Sequence, residues 1–561
     1  MSNETPWVDG LTYAEVLSEV VKKHGEREAI VFPQLDIRWT YDKFNERVRL
    51  MARALLDLGV KKGTHVGIWA TNWPEWVLSQ MSTGLIGAVL VNVNPAYRKQ
   101  ELAYIIGQAE LSVLIITDVH KTSDYQAITA EVVPELNSTP FGTPIENPDY
   151  PNLKHVVSIK DQSNVQGIGT WTQFILGAPN HTDEEVDALS AQVSPQDPVN
   201  MQYTSGTTGA PKGAMLSHRN LLMNGFYGGV CQKITEIDRV CVPVPFYHCF
   251  GCVMGTLMSM IYGATMVSPA EAFDPVANMK AISDEGCTVV YGVPTMFSAQ
   301  VNDPSFSDFN FSTMRTGIMA GSPCPIELMK QVIAKMNLNE IVIAYGQTEA
   351  SPIITMSHTT DSVDVRVNTV GGAIPGIDVR IVDPETGEDC PIGEQGELWS
   401  RGHGVMLGYY NMPEATANSV TPDGWLKTGD LATETPEHNF KITGRIKDLI
   451  IRGGENIYPR EIEEFLLTHP DILEVQVVGL PDVKFIEQVS AWLKVRPDCS
   501  LTEDEVKAFC KEKIAHYKIP HYVAIVDEFP LTVTGKIQKF VLRDMGIEKF
   551  NLQEAAGTQT A

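Results

Sequence analysis

The sequence predicts an α/β protein: a large N-terminal domain of helix-covered sheets with a small β-rich subdomain, and a small α+β C-terminal domain. The chain of 561 residues is too long for one hydrophobic core, because single cores stop growing at roughly 250–300 residues. Strand-like apolar runs alternate with helical periodicities as far as about Phe440. This alternation indicates mostly parallel sheets covered by helices.

The first third begins with helix signals. Thr12 and Glu15 form a capping box ahead of apolar residues at helical spacing, and Thr40 begins a second helix that Gly59 ends. Short apolar runs then predict buried strands. The strands predicted here are Val66–Trp69, Ala88–Val91 and Leu111–Ile116.

The middle of the chain changes character twice. Residues 137–196 are rich in Pro, Gly, Asn and Ser, so we predict surface connections there. The uncharged stretch Phe250–Pro269 contains three glycines and several hydroxyl side chains, and we predict a buried helix rather than a membrane span. Beyond Gly371, short strands separated by turns predict a small β-rich unit.

The last portion has its own apolar set and predicts a separate domain. Thr502 and Glu505 cap a helix among three strand-like runs. The boundary is predicted at 445–447. The resulting division is an N-terminal domain over 1–444, a C-terminal domain over 448–549 and a tail over 550–561.

Charge and cysteine content narrow the class of protein. The formal net charge is −26, and such a field repels nucleic acid and disfavours anionic membrane surfaces. If the substrates are anions, cations must be gathered locally.

Nine cysteines are spread along the chain and the first ten residues carry no basic residue, so we expect a reducing, cytoplasmic location and no integral membrane association. The oligomeric state is open, and a homodimer is allowed.

A glycine-rich segment, Thr204–Gly213, follows a strand-like run. It holds three glycines, four hydroxyl side chains and Lys212, so its backbone N–H groups and its ammonium can cradle phosphate oxygens. It is not a Walker A loop, because Pro211 precedes the lysine where that pattern needs glycine. Composition alone leaves a flexible surface loop as an open alternative.

The full order of this segment, Thr-Ser-Gly-Thr-Thr-Gly-Ala-Pro-Lys-Gly, resembles the signature of the adenylate-forming enzymes: acyl-CoA synthetases, coumarate-CoA ligases, luciferases and peptide-synthetase adenylation domains. The resemblance spans nearly the whole chain, and it is strongest to bacterial medium- to long-chain fatty acyl-CoA synthetases. Five further motifs occur in the family's order. They are Phe246–His248, Tyr345–Glu349, Thr428–Asp430, Gly444–Asp448 and Pro530–Lys536.

The resemblance implies a two-step ligation that uses ATP, Mg²⁺ and CoA. A carboxylate first attacks the α-phosphate of ATP to give an acyl-adenylate and pyrophosphate, and the thiol of CoA then takes the acyl group. Two anions approach each other in the first step, so the site must supply positive charge. Lys536 resembles the family lysine that bridges carboxylate and α-phosphate, and Lys212 would hold the outgoing pyrophosphate.

The resemblance also implies a nucleotide site. Thr204 and Glu349 would be Mg²⁺ ligands, since a hard cation prefers oxygen. Asp430 resembles the carboxylate that accepts the ribose hydroxyls, and Arg445 would reach the same ribose. Tyr345 would stack on adenine. The remaining residues assigned to the nucleotide site are Ser205, Gly206, Thr207, Thr208 and Gly209 of the loop, Gly321, Ser322 and Pro323 of the opposite wall, and Gly346, Gln347 and Thr348 beside the tyrosine.

For the second step, the resemblance implies a mobile C-terminal domain that rotates about a hinge at Lys447. Gly453 and Gly454 resemble the segment that lines the pantetheine tunnel, where side chains would block the thiol. Cations also gather in the last portion, as the charge argument demands, and they could contact CoA phosphates or form a solvated face. They are Lys447, Arg452, Arg460, Lys518, Lys536, Lys539 and Arg543.

The acid-binding pocket is predicted around His248, which resembles the family's gate residue. Cys249 and Cys252 follow it; a metal site needs more ligands, so we interpret them as small lining residues. The absence of an acidic residue next to His248 argues against an amino acid as substrate. The predicted pocket residues are His248, Gly251, Cys252, Gly292, Val293, Met319 and Gly346.

Four alternatives to a fatty acid–CoA ligase stay open. The acid could be aromatic or short and branched, or the acyl group could be loaded onto a carrier protein. A luciferase-like oxygenase would share these motifs. An inactive acyl or nucleotide sensor is disfavoured by the intact Lys536, Glu349 and Asp430.

Overall fold

The structure is a computed structural model that describes residues 6–204, 210–322, 324–453, 455–497, 499–511, 513–532 and 537–556. The fold is α/β, as predicted. The chain divides into two compact units, Met1–Val379 with Ser400–Leu426, and Arg380–Trp399 with Lys427–Ala561. The hinge predicted at 445–447 lies within the second of these units, and the predicted domain boundaries stay predictions.

Helices separate many of the strands in both units. In chain order they are α1 Tyr13–His24, α2 Tyr41–Asp57, α3 Pro74–Leu85, α4 Lys99–Gln108, α5 Tyr125–Val132, α6 Trp171–Ile175, α7 Asp183–Ser190, α8 His218–Gln232, the π-helical segment Phe250–Leu257, α9 Met258–Ile261, α10 Pro275–Glu285, α11 Pro294–Val301, α12 Ile326–Lys335, α13 Val363–Asn368, α14 Pro413–Ser419, α15 Pro459–Leu466, α16 Glu503–Cys510, α17 Lys539–Lys549 and α18 Gln553–Ala556.

The strands are mostly short. In chain order they are β1 Glu28–Phe32, β2 Ile37–Thr40, β3 His65–Trp69, β4 Val89–Asn92, β5 Val113–Ile116, β6 Val119–His120, β7 Ser123–Asp124, β8 His155–Ser158, β9 Ile168–Gly169, β10 Pro198–Thr204, β11 Lys212–Ser217, β12 Arg239–Cys241, β13 Thr265–Val267, β14 Val289–Gly292, β15 Thr316–Ala320, β16 Val342–Gly346, β17 Ile353–Met356, β18 Gly372–Ala373, β19 Ile377–Val382, β20 Gln395–Gly402, β21 Gly408–Tyr409, β22 Leu426–Glu434, β23 Phe440–Arg445, β24 Ile450–Arg452, β25 Glu455–Ile457, β26 Ile472–Asp482, β27 Ile486–Val495 and β28 Tyr522–Ile525.

Two large sheets form the first unit. Among the described residues, nine strands join in the order β18-β17-β16-β15-β14-β12-β13-β1-β2, and eight join in the order β21-β11-β10-β4-β3-β5-β8-β9. The strands from β12 to β16 run parallel, as do β4, β3, β5 and β8. Their carboxyl ends therefore meet at one edge of each sheet, where parallel α/β sheets usually bind ligands.

Local sequence explains where the first helices begin. The Thr12 hydroxyl accepts from the Glu15 N–H at 3.4 Å, and the Glu15 carboxylate accepts from the Thr12 N–H at 2.8 Å, so the predicted capping box is confirmed. Thr40 caps α2 in the same way, accepting from the Lys43 N–H at 3.2 Å. The helix ends next to Gly59, which has a φ of +77° that glycine adopts without strain.

Two predictions from the middle of the chain need correction. Residues 137–196 do not form surface connections alone, because strand β8 lies fully buried beside β5, and Val156 belongs to the core. The predicted buried helix over 250–269 is confirmed as far as Ile261, but Thr265–Val267 forms strand β13. Among the helices that the structure describes, none combines the length and apolar character that a bilayer crossing requires.

The second unit has a separate core. Strands β24 to β28 form one sheet there, and β19, β20, β22 and β23 form another among the described residues. Helices α15 and α16 bury Ile462, Leu466 and Val506 against the first of these sheets. This agrees with the predicted α+β character of the last portion.

Candidate active site

Three of the predicted pocket residues lie on neighbouring strands of the nine-stranded sheet: Gly292, Met319 and Gly346. In the register of β14 and β15, Gly292 lies opposite Met319. Strand β16 runs beside β15 and ends in Tyr345 and Gly346. Gly321 follows β15 with a φ of +91°, a conformation that favours glycine. Residues from three strands, far apart in the chain, therefore meet at one edge.

Gly346 is the position at this edge where a side chain has least room. A Cβ built there would overlap the carbonyl of Pro352. That carbonyl accepts the N–H of Gln347 at 2.9 Å, which closes a tight turn that contains Thr348 and Glu349. The turn carries the Glu349 carboxylate from the nine-stranded sheet towards the eight-stranded one.

Glu349 and Thr204 meet in the structure. The Thr204 hydroxyl donates to Glu349 Oε1 at 3.1 Å, although 145 positions separate the two residues. Both side chains are half-buried. One carboxylate and one hydroxyl, each with oxygen as the donor atom, are a set that Mg²⁺ accepts while keeping several waters. The pair predicted as metal ligands is therefore chemically suited to that ion.

Tyr409 completes this cluster, and sequence reasoning missed it. Its hydroxyl donates to the same Glu349 Oε1 at 2.8 Å. Burial, and secondarily the neighbouring Glu349 charge, raises the pKa of Tyr409 above its ordinary value, so the phenol stays a donor. Its only signal in the sequence is its place beside a second tyrosine, in a short run that adds a strand to β11.

Lys212 also approaches the Tyr409 ring. Its backbone pairs with Thr204 where β10 and β11 form an antiparallel ladder. Its ammonium lies 5.1 Å from the centroid of the tyrosine ring, within the range of a cation–π interaction. Tyr409 thus contacts both Glu349 and Lys212, and Thr204 bonds to the same carboxylate oxygen of Glu349.

The segment around His248 forms one continuous turn. The His248 carbonyl accepts the N–H groups of Gly251 and Cys252 at 2.8 and 3.0 Å. A Cβ at Gly251 would overlap the carbonyl of Pro245, so only glycine fits this turn as it stands. Phe250 stacks on Tyr291 of β14 with ring centroids 5.7 Å apart. The histidine is therefore held beside the carboxyl end of β14.

Cys249 and Cys252 are buried and point to different neighbours. Cys249 Sγ lies 3.8 Å from the Thr348 hydroxyl, next to Glu349. Cys252 Sγ accepts from the Gln202 amide at 3.2 Å, and burial raises the pKa of this thiol well above its usual range. Within the described residues, no group of three or more His, Cys, Asp and Glu side chains could hold a metal ion.

Two other predicted residues of the first unit differ in exposure. Val293 is buried just ahead of α11, whereas Ser322 is exposed after β15. Several predictions fall outside the described residues. These are Ser205, Gly206, Thr207, Thr208 and Gly209, together with Pro323, Gly454 and Lys536.

In the second unit, the predicted ribose ligands lie together. Asp430 and Arg445 face each other across β22 and β23, and Arg445 Nε donates to Asp430 Oδ1 at 2.8 Å. Asp430 is buried, whereas the arginine side chain is more than half exposed. Beside them the Glu397 carboxylate, also missed from sequence, accepts the Gly429 N–H at 2.8 Å.

The cations of the last portion are largely neutralised one by one. Lys518 pairs with Glu461, Lys539 with Glu463, and Arg543 with Glu487 at 2.5 to 2.7 Å. Arg460 pairs with Glu464, and Arg452 donates to the Gln488 amide oxygen. These contacts favour the solvated-face interpretation over a collective anion site. Lys447 is exposed in a short turn, and Gly453 donates its N–H to the Phe485 carbonyl at 2.8 Å.

Comparisons with known proteins match both parts of the chain. Residues 17–410 match the AMP-binding enzyme family, and residues 461–536 match the AMP-binding enzyme C-terminal domain. YngI of Bacillus subtilis is 47% identical over 97% of this chain and 98% of its own. The mitochondrial medium-chain acyl-CoA ligase ACSF2 of Danio rerio is 42% identical over 95% of this chain and 88% of its own.

Solved structures agree with the fold. ATP-bound MatB from Rhodopseudomonas palustris superposes with a TM-score of 0.81 at 27% identity, covering 96% of this chain and all of MatB. A fatty acyl CoA synthetase of Mycobacterium tuberculosis gives a TM-score of 0.74 at 25% identity, covering 96% of this chain and 99% of its own.

Proposed function

The chain belongs to the AMP-binding enzyme family, and from that premise we propose an ATP-dependent acyl-CoA synthetase that acts on a medium-chain fatty acid. The carboxylate oxygen of the acid attacks the α-phosphate of ATP, and the bond to pyrophosphate breaks. The thiol of CoA then attacks the acyl carbon, AMP leaves with the electron pair, and the thiol proton passes to solvent. ATP and CoA are therefore substrates of the two steps.

The observation that carries this proposal is the cluster in which Thr204 and Tyr409 both donate to Glu349 while Lys212 approaches the tyrosine ring. The lysine ammonium can hold phosphate oxygens as pyrophosphate departs. Thr204 and Glu349 would hold Mg²⁺, which would supply positive charge to the phosphates when bound. The chain's own part is to fix the carboxylate and hydroxyl oxygens before the nucleotide arrives.

The choice of a medium-chain fatty acid rests on two supports. ACSF2 of Danio rerio, which is 42% identical, is named a medium-chain acyl-CoA ligase. The edge beside His248 is lined by small and apolar residues: Gly292, Val293 and Met319. No acidic residue adjoins His248 to receive an amino group. An aromatic or short branched acid, and a carrier protein in place of CoA, are outcomes that the experiment below separates.

The remaining assignments are part of the same proposal. Asp430 and Arg445 would contact the ribose, and Tyr345 the adenine. Lys536 would bridge carboxylate and α-phosphate, and Gly454 would line the path of the thiol. The C-terminal domain would rotate about Lys447 between the steps. We also propose a cytoplasmic enzyme, with a homodimer as one allowed assembly.

ATP–pyrophosphate exchange with acids of graded length tests the first step. Acetate, isobutyrate, octanoate, palmitate and benzoate are compared, and octanoate should give the fastest exchange. Lys536→Ala should abolish the exchange, whereas the exposed Lys549→Ala should leave it unchanged. Exchange that survives Lys536→Ala would refute the assignment of the lysine, and a preference for benzoate would refute the choice of acid.

The second step is tested by following the loss of free CoA thiol. Gly454→Trp should block thioester formation while octanoate-dependent exchange continues. Equal loss of both activities would overturn the assignment of Gly454. Acyl transfer to a phosphopantetheinyl carrier protein but not to CoA would replace the ligase proposal with carrier loading.

A further inference from the structure

Tyr409 contacts two groups of opposite charge at the phosphate site. Its hydroxyl donates to Glu349 Oε1 at 2.8 Å, and the Lys212 ammonium lies 5.1 Å from its ring centroid. We propose that Tyr409 is a positioning residue that keeps this carboxylate and this ammonium apart and aims each at its own ligand. The inference rests on the proposed function and names a residue that its motifs do not include.

The tyrosine is held rigidly enough for this task. Strand β21 pairs with β11, so that Tyr409 lies opposite Ala214. Its own N–H donates to the Thr416 hydroxyl at 2.9 Å, and its side chain is buried. Because the backbone is fixed on one side by the sheet and on the other by α14, the ring has little freedom to move.

The same short segment also fixes Glu349. The N–H of Met406 donates to the backbone carbonyl of Glu349 at 2.9 Å, while Tyr409 holds the side chain of that residue. The backbone and the carboxylate of Glu349 are thus anchored by two residues, Met406 and Tyr409, that lie three positions apart in the chain. With Thr204 and Tyr409 both bonded to Oε1, the described residues form no hydrogen bond to Oε2, which is left for a cation.

The ring prevents a competing ion pair. Among the described residues no salt bridge joins Lys212 to Glu349, although both approach the same tyrosine. A lysine beside an exposed carboxylate ordinarily pairs with it, and such a pair would withdraw both charges from the nucleotide. The negative face of the ring attracts the ammonium, and the ring body keeps it from the carboxylate. Tyr409 therefore preserves two separate charges at one site.

Binding of α,β-methylene ATP, which cannot form an adenylate, tests this role without turnover. Calorimetric titrations at several Mg²⁺ concentrations give the apparent affinity for the ion. Tyr409→Phe should weaken that affinity about tenfold, about 1.4 kcal/mol, because it removes only the hydroxyl. Tyr409→Leu should weaken it further and should also weaken binding of the analogue measured in EDTA, because Lys212 then loses the ring.

Tyr410→Phe is the matched control. The Tyr410 hydroxyl donates to Glu110 at 2.7 Å, away from Glu349, so its loss should leave Mg²⁺-dependent binding unchanged. Thermal unfolding of each variant confirms that it is folded. Unchanged or tighter Mg²⁺ affinity in a folded Tyr409→Phe protein would overturn the inference. Failure of the parent protein to bind the analogue at all would instead contradict the proposed function.

Discussion

Acidification should destabilise the first unit through His218. Its ring is fully buried; Nδ1 accepts the Tyr13 N–H at 3.1 Å, and Nε2 has no hydrogen-bond partner among the described residues. Burial lowers the pKa of His218 to about 3, against about 6.5 for an unfolded histidine. Between about pH 3 and pH 6.5, His218 therefore binds a proton in the unfolded chain but not in the folded one. The contribution of the neutral His218 to the free energy of unfolding is fully present above about pH 6.5 and is lost as the pH falls towards about 3.

The expected loss of unfolding free energy follows from the folded and unfolded pKa values of His218. At pH 5.5, an unfolded-state pKa of about 6.5 gives a loss of about 1.4 kcal/mol for this group. Burial also lowers the pKa of His403 to about 4, so this residue should lower the free energy of unfolding at pH 5.5 by a similar amount. Urea unfolding followed by tryptophan fluorescence at pH 7.5 and 5.5 measures the sum, and a single-residue variant isolates His218.

His218→Asn is that variant, because the asparagine oxygen can replace Nδ1 as the acceptor from Tyr13. The loss of unfolding free energy between pH 7.5 and 5.5 should be about 1.4 kcal/mol smaller in this variant than in the parent. His438→Asn removes an exposed histidine, so it is the control for the loss of one histidine from the chain. An unchanged pH dependence in a folded His218→Asn protein would refute the assignment of a buried, neutral His218.

Three further substitutions have defined outcomes. Thr204→Val should raise the KM for MgATP about tenfold by removing the donor to Glu349, and an unchanged KM would contradict the predicted metal-ligand role. Asp238→Asn should lower the free energy of unfolding by about 3 kcal/mol, because it leaves the Arg315 guanidinium without its buried carboxylate. Equal urea midpoints would contradict that. Gly251→Ala should slow exchange with every acid, because the new methyl group overlaps a backbone carbonyl behind His248, and wild-type exchange rates would exclude this overlap.

The sequence predicted local structure correctly where residues close together in the chain carry the signal. The capping box at Thr12 needs only residues three positions apart, and it formed as predicted. The strand β8 was missed because it has only four residues and follows a stretch rich in Pro and Asn. It is buried by β5 beside it, and no local periodicity reports on that neighbour.

The sequence by itself determined the family and the two-part α/β organisation, and it predicted Thr204, Lys212 and Glu349 as site residues, because ordered motifs carry that information without coordinates. Only the tertiary structure decided how those groups are arranged. Tyr409 lies 60 positions from Glu349, and the two meet because β21 adds to β11. Which strands pair is set by burial across the whole sheet. The meeting of Tyr409 with Glu349 is therefore a property of the fold.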